Sequence, residues 1–545
     1  MTNISIRTVK CEPYQDQKPG TAGLRKKVAV FKQPHYLETF VQCIFDSLQL
    51  DKGAVLVVGG DGRYYNREAI QTIIAMSAAN GIGKLIIGQN GLLSTPAASN
   101  LIRKKHTDGG ILLTASHNPG GPDGDFGIKF NTETGGQASE SMTNEVYRLS
   151  QSISEYRIAN SDSDSVDISS IGTYNCGDLT VEIIDPVADY VEMMEELFDF
   201  ELISSMLKSG TKIHFDALNA ATGPYAKKIF CDLLGADSVS VVNAVPLEDF
   251  GGLHPDPNPV DAAHVVKLAE SANSPDLLAA SDGDGDRNMI LGRNMVVSPG
   301  DSLAIMLANA SVAPGYRNGV HGAARSMPTS RAMDMVAAEL GFDHYETPTG
   351  WRFFCNLMES DRISLCGEES FGTSSSHTRE KDGLWAVLFW LNMMAALEQP
   401  VTEIVHRHWA RFGRCFFQRR DYFIEDADKA AELMQQLGDS LEQLAKGQDK
   451  VSTASIFNYT DPVDGTESLN QGIRILLRNE GRIVFRLSGT GTSGATLRVY
   501  LDLPEYDPER MQLSPVEALA ELAELAVEIA KIELFTGLKA PTAII

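Results

Sequence analysis

One order of elements comes round three times in this chain, and it constrains the fold more than any other feature. A strand over 54–58, a helix over 66–80, a strand over 84–87, a helix over 95–105 and a strand over 110–113 lead into a loop holding Ser116. In the second pass a strand over 212–215, a helix over 221–234, a strand over 239–242, a helix over 263–270 and a strand over 277–280 lead into SDGDGDR, 281–287. In the third, a helix over 330–340, a strand over 344–346, a helix over 352–358 and a strand over 363–365 lead into CGEESFG, 366–372. Alternating strands and helices predict sheets covered by helices on both faces, whose ligands collect beyond the C-terminal strand ends. Three such ends facing one cleft would make a single site.

The polar segment 160–170 lacks periodicity and reads as a solvated excursion. The last part differs: 480–503 reads strand, Gly-rich loop, strand. Ser514, Pro515 and Glu517 then open a helix with a capping box, apolar spacing continues to Leu534, and Gly537 is the terminator. At 545 residues, and about 150 per domain, the expected architecture is three similar α/β domains and a C-terminal α+β domain around one central cleft. The mixed sheets of the three are expected to be covered by helices, with boundaries at 1–188, 189–300, 301–417 and 418–545.

The formal net charge of −25, with no compensating basic run, argues against nucleic acid. A small anionic substrate would require the few Arg and Lys residues to gather in one cleft. The N-terminus lacks a basic start and apolar core, and the longest apolar run, Leu384 to Leu397, is too short to span a bilayer, so no membrane partner is expected. Seven scattered cysteines without a CxxC pair predict reduced thiols and a cytoplasmic enzyme.

Ser116 is followed by His117, Asn118 and Pro119 within TASHNPGGPDGDFGIKFN, 114–131, a turn-rich segment that predicts an exposed hydroxyl suited to phosphoryl transfer. Asp282, Asp284 and Asp286 alternate with glycines, so in a near-extended loop their carboxylates converge on one hard divalent ion such as Mg²⁺. An EF-hand is excluded because Arg287 and Arg293 hold the positions that would need Gly and Glu. In RLSGTGTSGATLRVY, 486–500, the GxGxxG precedes a strand rather than a helix, which excludes dinucleotide binding. Its freed N–H groups, the hydroxyls of Ser488, Thr490 and Thr492, and the guanidiniums of Arg486 and Arg498 suit a phosphate. Glu368 and Ser370 offer groups that read sugar hydroxyls, and Arg25 and Lys381 add cations near turns.

Taken in order, TASHNPGG, DGDGDR, GEESFG and RLSGTGTSGATLR resemble the α-D-phosphohexomutase superfamily, nearest to its branch that interconverts glucose 1-phosphate and glucose 6-phosphate. The segments GTAGLR, GGLHPDPNP, TPTGWRFF and REKDGLWAVLFWL extend the resemblance nearly end to end. It implies that Ser116 is the phosphorylated serine and that Asp282, Asp284, Asp286 and a phosphoserine oxygen hold one Mg²⁺ per subunit. Glu368 and Ser370 then read the sugar, and Thr349, Gly350 and Trp351 form a substrate loop. By the same resemblance Arg486, Ser488, Gly489, Thr490 and Arg498 hold the non-reacting phosphate, while Arg25, His117, Lys129, Arg287 and Lys381 stabilise charge or move protons. Arg352, where relatives often have Lys, and Asp123, where they often have Asn, depart from the pattern without touching this set.

The expected reaction is an isomerisation through a hexose bisphosphate that turns over in the cleft, with glucose 1,6-bisphosphate as intermediate and activator. The general base stays open between Lys129, Lys381 and His117, and the protein is expected to be a monomer or homodimer. The competing readings are a phosphomannomutase or amino-sugar mutase, a hexose bisphosphate synthase, and a non-catalytic scaffold on the same fold.

Overall fold

The computed structural model describes residues 4–20, 22–48, 52–160, 166–488 and 494–545. Four larger sheets organise them. In the first, strands Val55–Gly60, Lys84–Leu92, Gly110–Leu113 and Leu179–Ile184 run parallel, and Asp125–Asn131, Leu24–Lys27 and Gly172–Cys176 join antiparallel. Its central strands are apolar on both faces: Leu56 and Val58 face one buried cluster, while Val57 between them faces another. Helices Tyr36–Leu48 and Asn66–Ala79 cover the first cluster, and Thr95–Lys105 covers the second.

The second and third sheets repeat a simpler version. Ile213–Asp216 lies between Val241–Val242 and Leu277–Ser281, all parallel, and Asn288–Gly292 returns antiparallel beside Leu277–Ser281. Gly322–Ser326 lies between Asp343–Thr347 and Leu365–Glu368, again parallel, with Gly372–Ser375 returning antiparallel. In all three units the polar loop singled out above is therefore the connection from a parallel strand to the antiparallel strand that returns beside it. That common position brings the loops to equivalent sheet ends.

The fourth sheet is wholly antiparallel, with Arg482–Ser488 and Ala495–Glu505 at its centre and helices Ala427–Gly447 and Ala520–Ala530 packed on one face. The capping box at Ser514 and Glu517 forms as expected, but the helical stretch breaks into Pro515–Ala518, Ala520–Ala530 and Ile532–Thr536 before Gly537 ends it. The apolar run becomes a buried helix, Gly383–Leu397, and no single helix among the described residues is long and apolar enough to cross a membrane. All seven cysteines are free thiols. Two expectations need correction. The segment 221–234 is α-helical only over Thr222–Ala226 and widens to a π-helix over Lys227–Leu233, and the strand expected over 239–242 forms only at Val241–Val242, after a 3₁₀ turn over Ser238–Ser240.

Candidate active site

The Ser116 loop meets the acidic loop directly. Ser116 Oγ donates to Asp282 Oδ2 at 2.8 Å, and His117 Nδ1 stands 3.4 Å from the same hydroxyl. The hydroxyl is not exposed as the Pro- and Gly-rich turn suggested: Ser116 is only 3% accessible, because the second unit packs over the loop. Its backbone is left-handed, φ 52°, an unusual conformation for a serine. Thr114 Oγ1 accepts from Ser116 N at 2.7 Å and donates to Asp61 Oδ2 at 2.6 Å; Arg63 Nη2 donates to Ser116 O at 2.7 Å. Asp61 and Arg63 are themselves a buried ion pair.

The acidic loop is a tight turn rather than a near-extended segment. Asp282 Oδ1 accepts from the backbone N–H of Asp286 and Arg287 at 2.9 and 3.0 Å, and Gly285 supplies φ 80°. The convergence survives this correction, since one carboxylate oxygen from each of Asp282, Asp284 and Asp286 lies within 4.8 Å of the others. Asp284 Oδ1 and Asp286 Oδ1 are buried with no hydrogen-bond partner among the described residues. Oxygen-only donors, so close and so incompletely satisfied, fit a hard divalent cation.

Cations surround the acids. Lys381 Nζ lies 3.0 Å from Asp286 Oδ2, Lys129 Nζ 3.9 Å from Asp284 Oδ2, and Arg287 Nε 4.0 and 3.9 Å from Asp282 and Asp286. Burial raises the Asp282 carboxyl well above its usual range, and Asp286 and Asp284 add to the effect. Burial would raise Asp284 too, but Lys129, the Thr95 hydroxyl bond, Lys381 and Arg25 hold it at about 2. His117 is pushed well below the usual imidazole value by burial and then by Arg287, Arg25 and Lys381. Arg25 belongs to this group by that coupling, and its buried Nε has no hydrogen-bond partner among the described residues.

The third unit supplies Glu368, whose Oε1 accepts from Gly350 N at 3.0 Å, so the two predicted sugar segments meet. Burial raises the Glu368 carboxyl, while Lys381 opposes that. Thr349 Oγ1 and Trp351 Nε1 are buried without hydrogen-bond partners among the described residues. Ser370, half-buried, precedes Phe371, whose carbonyl accepts from Asn288 N in the second unit at 2.8 Å.

Arg486 and Arg498 are cross-strand partners at the sheet centre of the fourth unit, with Asp421 Oδ2 at 4.0 Å from Arg498 Nε, and Ser488 pairs with Thr496. Arg486 and Arg498 form a second centre, in which Glu369, next to Glu368, acts on Arg498 and on Tyr500 beside them. Gly489 and Thr490 lie outside the described residues.

The sequence reading missed several partners. Glu380, fully buried, takes bonds from Lys129 Nζ at 3.3 Å and Asn131 Nδ2 at 2.9 Å, and Thr95 Oγ1 donates to Asp284 Oδ2 at 2.7 Å. Asp-Gly-Arg directly after an apolar strand marks Arg63 as one of a charged pair at the functional end of the sheet, but nothing local marks its partner, the Ser116 carbonyl 53 positions on.

Residues 16–157, 188–295 and 299–412 match the phosphoglucomutase/phosphomannomutase alpha/beta/alpha domains I, II and III. Residues 414–542 match the phosphoglucomutase-1 C-terminal domain. The chain belongs to the phosphoglucomutase/phosphomannomutase family. It is 55% identical over 542 residues to a phosphoglucomutase of Rhizobium radiobacter, covering 99% of this chain and 100% of that one. To phosphoglucomutase-1 of Homo sapiens it is 49% identical over 563 residues, covering 99% and 100%. The open-form structure of a Paramecium phosphoglucomutase, the exocytosis-sensitive phosphoprotein pp63/parafusin, superimposes with a TM-score of 0.93 at 45% identity, covering 99% of both chains. The resemblance to the α-D-phosphohexomutases and the expected fold class are thereby borne out, in a chain whose relatives at this level are phosphoglucomutases.

Proposed function

We propose that this member of the family is a phosphoglucomutase that interconverts α-D-glucose 1-phosphate and D-glucose 6-phosphate through a phosphorylated Ser116. The observation that carries the reading is the 2.8 Å approach of the Ser116 hydroxyl to Asp282 inside a ring of three acids and four cations. A sugar hydroxyl attacks phosphorus esterified to Ser116 Oγ; the new O–P bond forms as the Oγ–P bond breaks, and the hydroxyl proton passes to His117, Lys129 or Lys381. In the second half the bisphosphate, reoriented, returns its other phosphoryl group to Ser116 Oγ. Arg25 and Arg287 offset charge at the transferring group.

Asp282, Asp284 and Asp286, with an oxygen of phosphorylated Ser116, would hold Mg²⁺, which when bound withdraws charge from the phosphoryl group. Glu368 and Ser370 read sugar hydroxyls beside Thr349, Gly350 and Trp351. Arg486, Ser488, Gly489, Thr490 and Arg498 grip the phosphate that does not react. Glucose 1,6-bisphosphate is the intermediate and primes Ser116, and the protein works in the cytoplasm as a monomer or homodimer.

A coupled assay of glucose 1-phosphate against mannose 1-phosphate, with and without glucose 1,6-bisphosphate, tests this. Turnover preferring the glucose ester and stimulated by the bisphosphate supports the reading. A preference for the mannose ester, or net release of bisphosphate, would replace it with a phosphomannomutase or a bisphosphate synthase.

A further inference from the structure

Between the third and fourth units lies a cleft of about 320 Å³ lined by Arg325, Arg331, Arg474 and Arg482 and by Asp334 and Glu346. In so acidic a chain this gathering of guanidiniums invites an anion, yet the charges already answer one another. Arg325 pairs with Asp334 and Glu346, Arg474 with Glu346, and Arg331 and Arg482 share Asp502. The cleft is a joint, and what it joins is informative.

Arg482 is 2% accessible. It donates through Nε to Asp502 Oδ2 at 2.7 Å, and reaches into the third unit with Nη1 on Met327 O at 2.7 Å and Nη2 on Thr329 O at 2.6 Å. Thr329 Oγ1 in turn accepts from Glu369 N at 2.9 Å, and Ser326 Oγ bonds both Thr329 Oγ1, at 2.7 Å, and Glu369 Oε2, at 3.4 Å. Glu369 directly follows the sugar-reading Glu368.

On the fourth sheet the register pairs Arg482 with Asp502, Val484 with Tyr500, and Arg486 with Arg498. These pairs recur at two-residue steps and so occupy one face. Met327 and the middle pair, Val484 and Tyr500, share one buried apolar cluster. One face thus carries the anchor at one end and the phosphate-binding arginines at the other, with the third-unit loop clamped between.

We propose that Arg482, acting through Thr329, is a positioning residue that sets the distance between the phosphate-holding arginines 486 and 498 and the sugar-reading Glu368. The inference rests on the phosphoglucomutase reading. Its consequence is specificity: the spacing of two binding centres on separate units is fixed by a hydrogen-bonded relay rather than by apolar contact alone.

The test compares Thr329→Val, Thr329→Ser, Arg482→Lys and the double variant Thr329→Val/Arg482→Lys in steady-state assays with glucose 1-phosphate. Intact mass measures Ser116 phosphorylation, and thermal unfolding measures the folded fraction. Thr329→Val is expected to raise KM roughly ten-fold, the loss expected for one buried hydrogen bond, with kcat within about three-fold and phosphorylation unchanged. Thr329→Ser, which keeps the hydroxyl, should restore KM, and the double variant should exceed neither single variant by much. An unchanged KM in Thr329→Val, or effects that multiply in the double variant, would overturn the relay while leaving the mutase reading standing. A wild-type protein inert toward glucose 1-phosphate would overturn both.

Discussion

Gly283 passes so close beneath Ser116 that a Cβ added there would come within 2.4 Å of the Ser116 carbonyl oxygen. The acidic loop can therefore approach the serine only because this position carries no side chain. Gly283→Ala should push the acids away from the hydroxyl and, as a displacement of about 1 Å is worth, cost on the order of 100-fold in kcat. Kinetics with a thermal melt measure it: a variant that melts like wild type and turns over at the wild-type rate would contradict this packing.

Ser116→Ala should abolish turnover and remove the phosphate seen by intact mass. The fold should persist, because Thr114 and Arg63 hold the loop through the backbone N and O of Ser116, and Asp61 braces the Thr114 hydroxyl. Circular dichroism beside the assay separates a lost nucleophile from a lost fold.

Three buried acids within 4.8 Å of one another repel unless a cation offsets them. Adding Mg²⁺ to chelator-treated protein should restore activity, stabilise the fold by about 2.7 kcal/mol at a concentration 100 times the dissociation constant, and so raise the melting temperature. Asp284→Asn should diminish both effects. Calorimetry over a Mg²⁺ titration checks this, and an unshifted melting temperature would count against a bound ion.

Arg486→Ala should raise KM for either glucose phosphate by roughly 10- to 100-fold, corresponding to loss of a charge-assisted contact of ~1.5–3 kcal/mol. Phosphorylation of Ser116 should be unaffected, since this arginine belongs to the other centre.

His408 sits buried on helix Val401–Phe412, with its ring 4.9 Å from that of Phe412, and burial lowers its titration to about 3, with Arg411 adding to the effect. The unfolded chain binds this proton from about pH 6.5 downward while the folded chain refuses it. Stability from the neutral imidazole is thus complete above pH 6.5 and is lost as pH falls toward 3, at about 1.4 kcal/mol per pH unit. His408→Gln should flatten that part of the denaturation profile between pH 6 and 4. An unchanged slope would show that His408 is not its source.

Much of this was legible in the sequence because local patterns agreed with the fold. The helix Thr95–Lys105 begins at Ser94, whose side chain caps Ala97 N, and Gly110–Leu113 is an unbroken apolar strand. Gly322–Ser326 went unread although it is the centre of the third sheet: Gly-Ala-Ala-Arg-Ser lacks branched apolar residues, and its strand state comes from neighbours on both edges. Asp125–Asn131 passed for loop because Asp and Gly sit where the chain turns back along Gly110–Leu113. Of the site, the motif residues could be picked out, but Arg63, Thr95, Glu380 and Arg482 could not be assigned. Each acts on a group 53 or more residues away, and no local spacing records such an approach.

The serine and the carboxylate it touches are separated by 166 positions along the chain. During translation, then, the alcohol leaves the ribosome long before the acids, and the two can meet only after the second unit has emerged and docked on the first. On the proposed phosphoserine reading, an interrupted polypeptide should therefore carry no phosphate at this position.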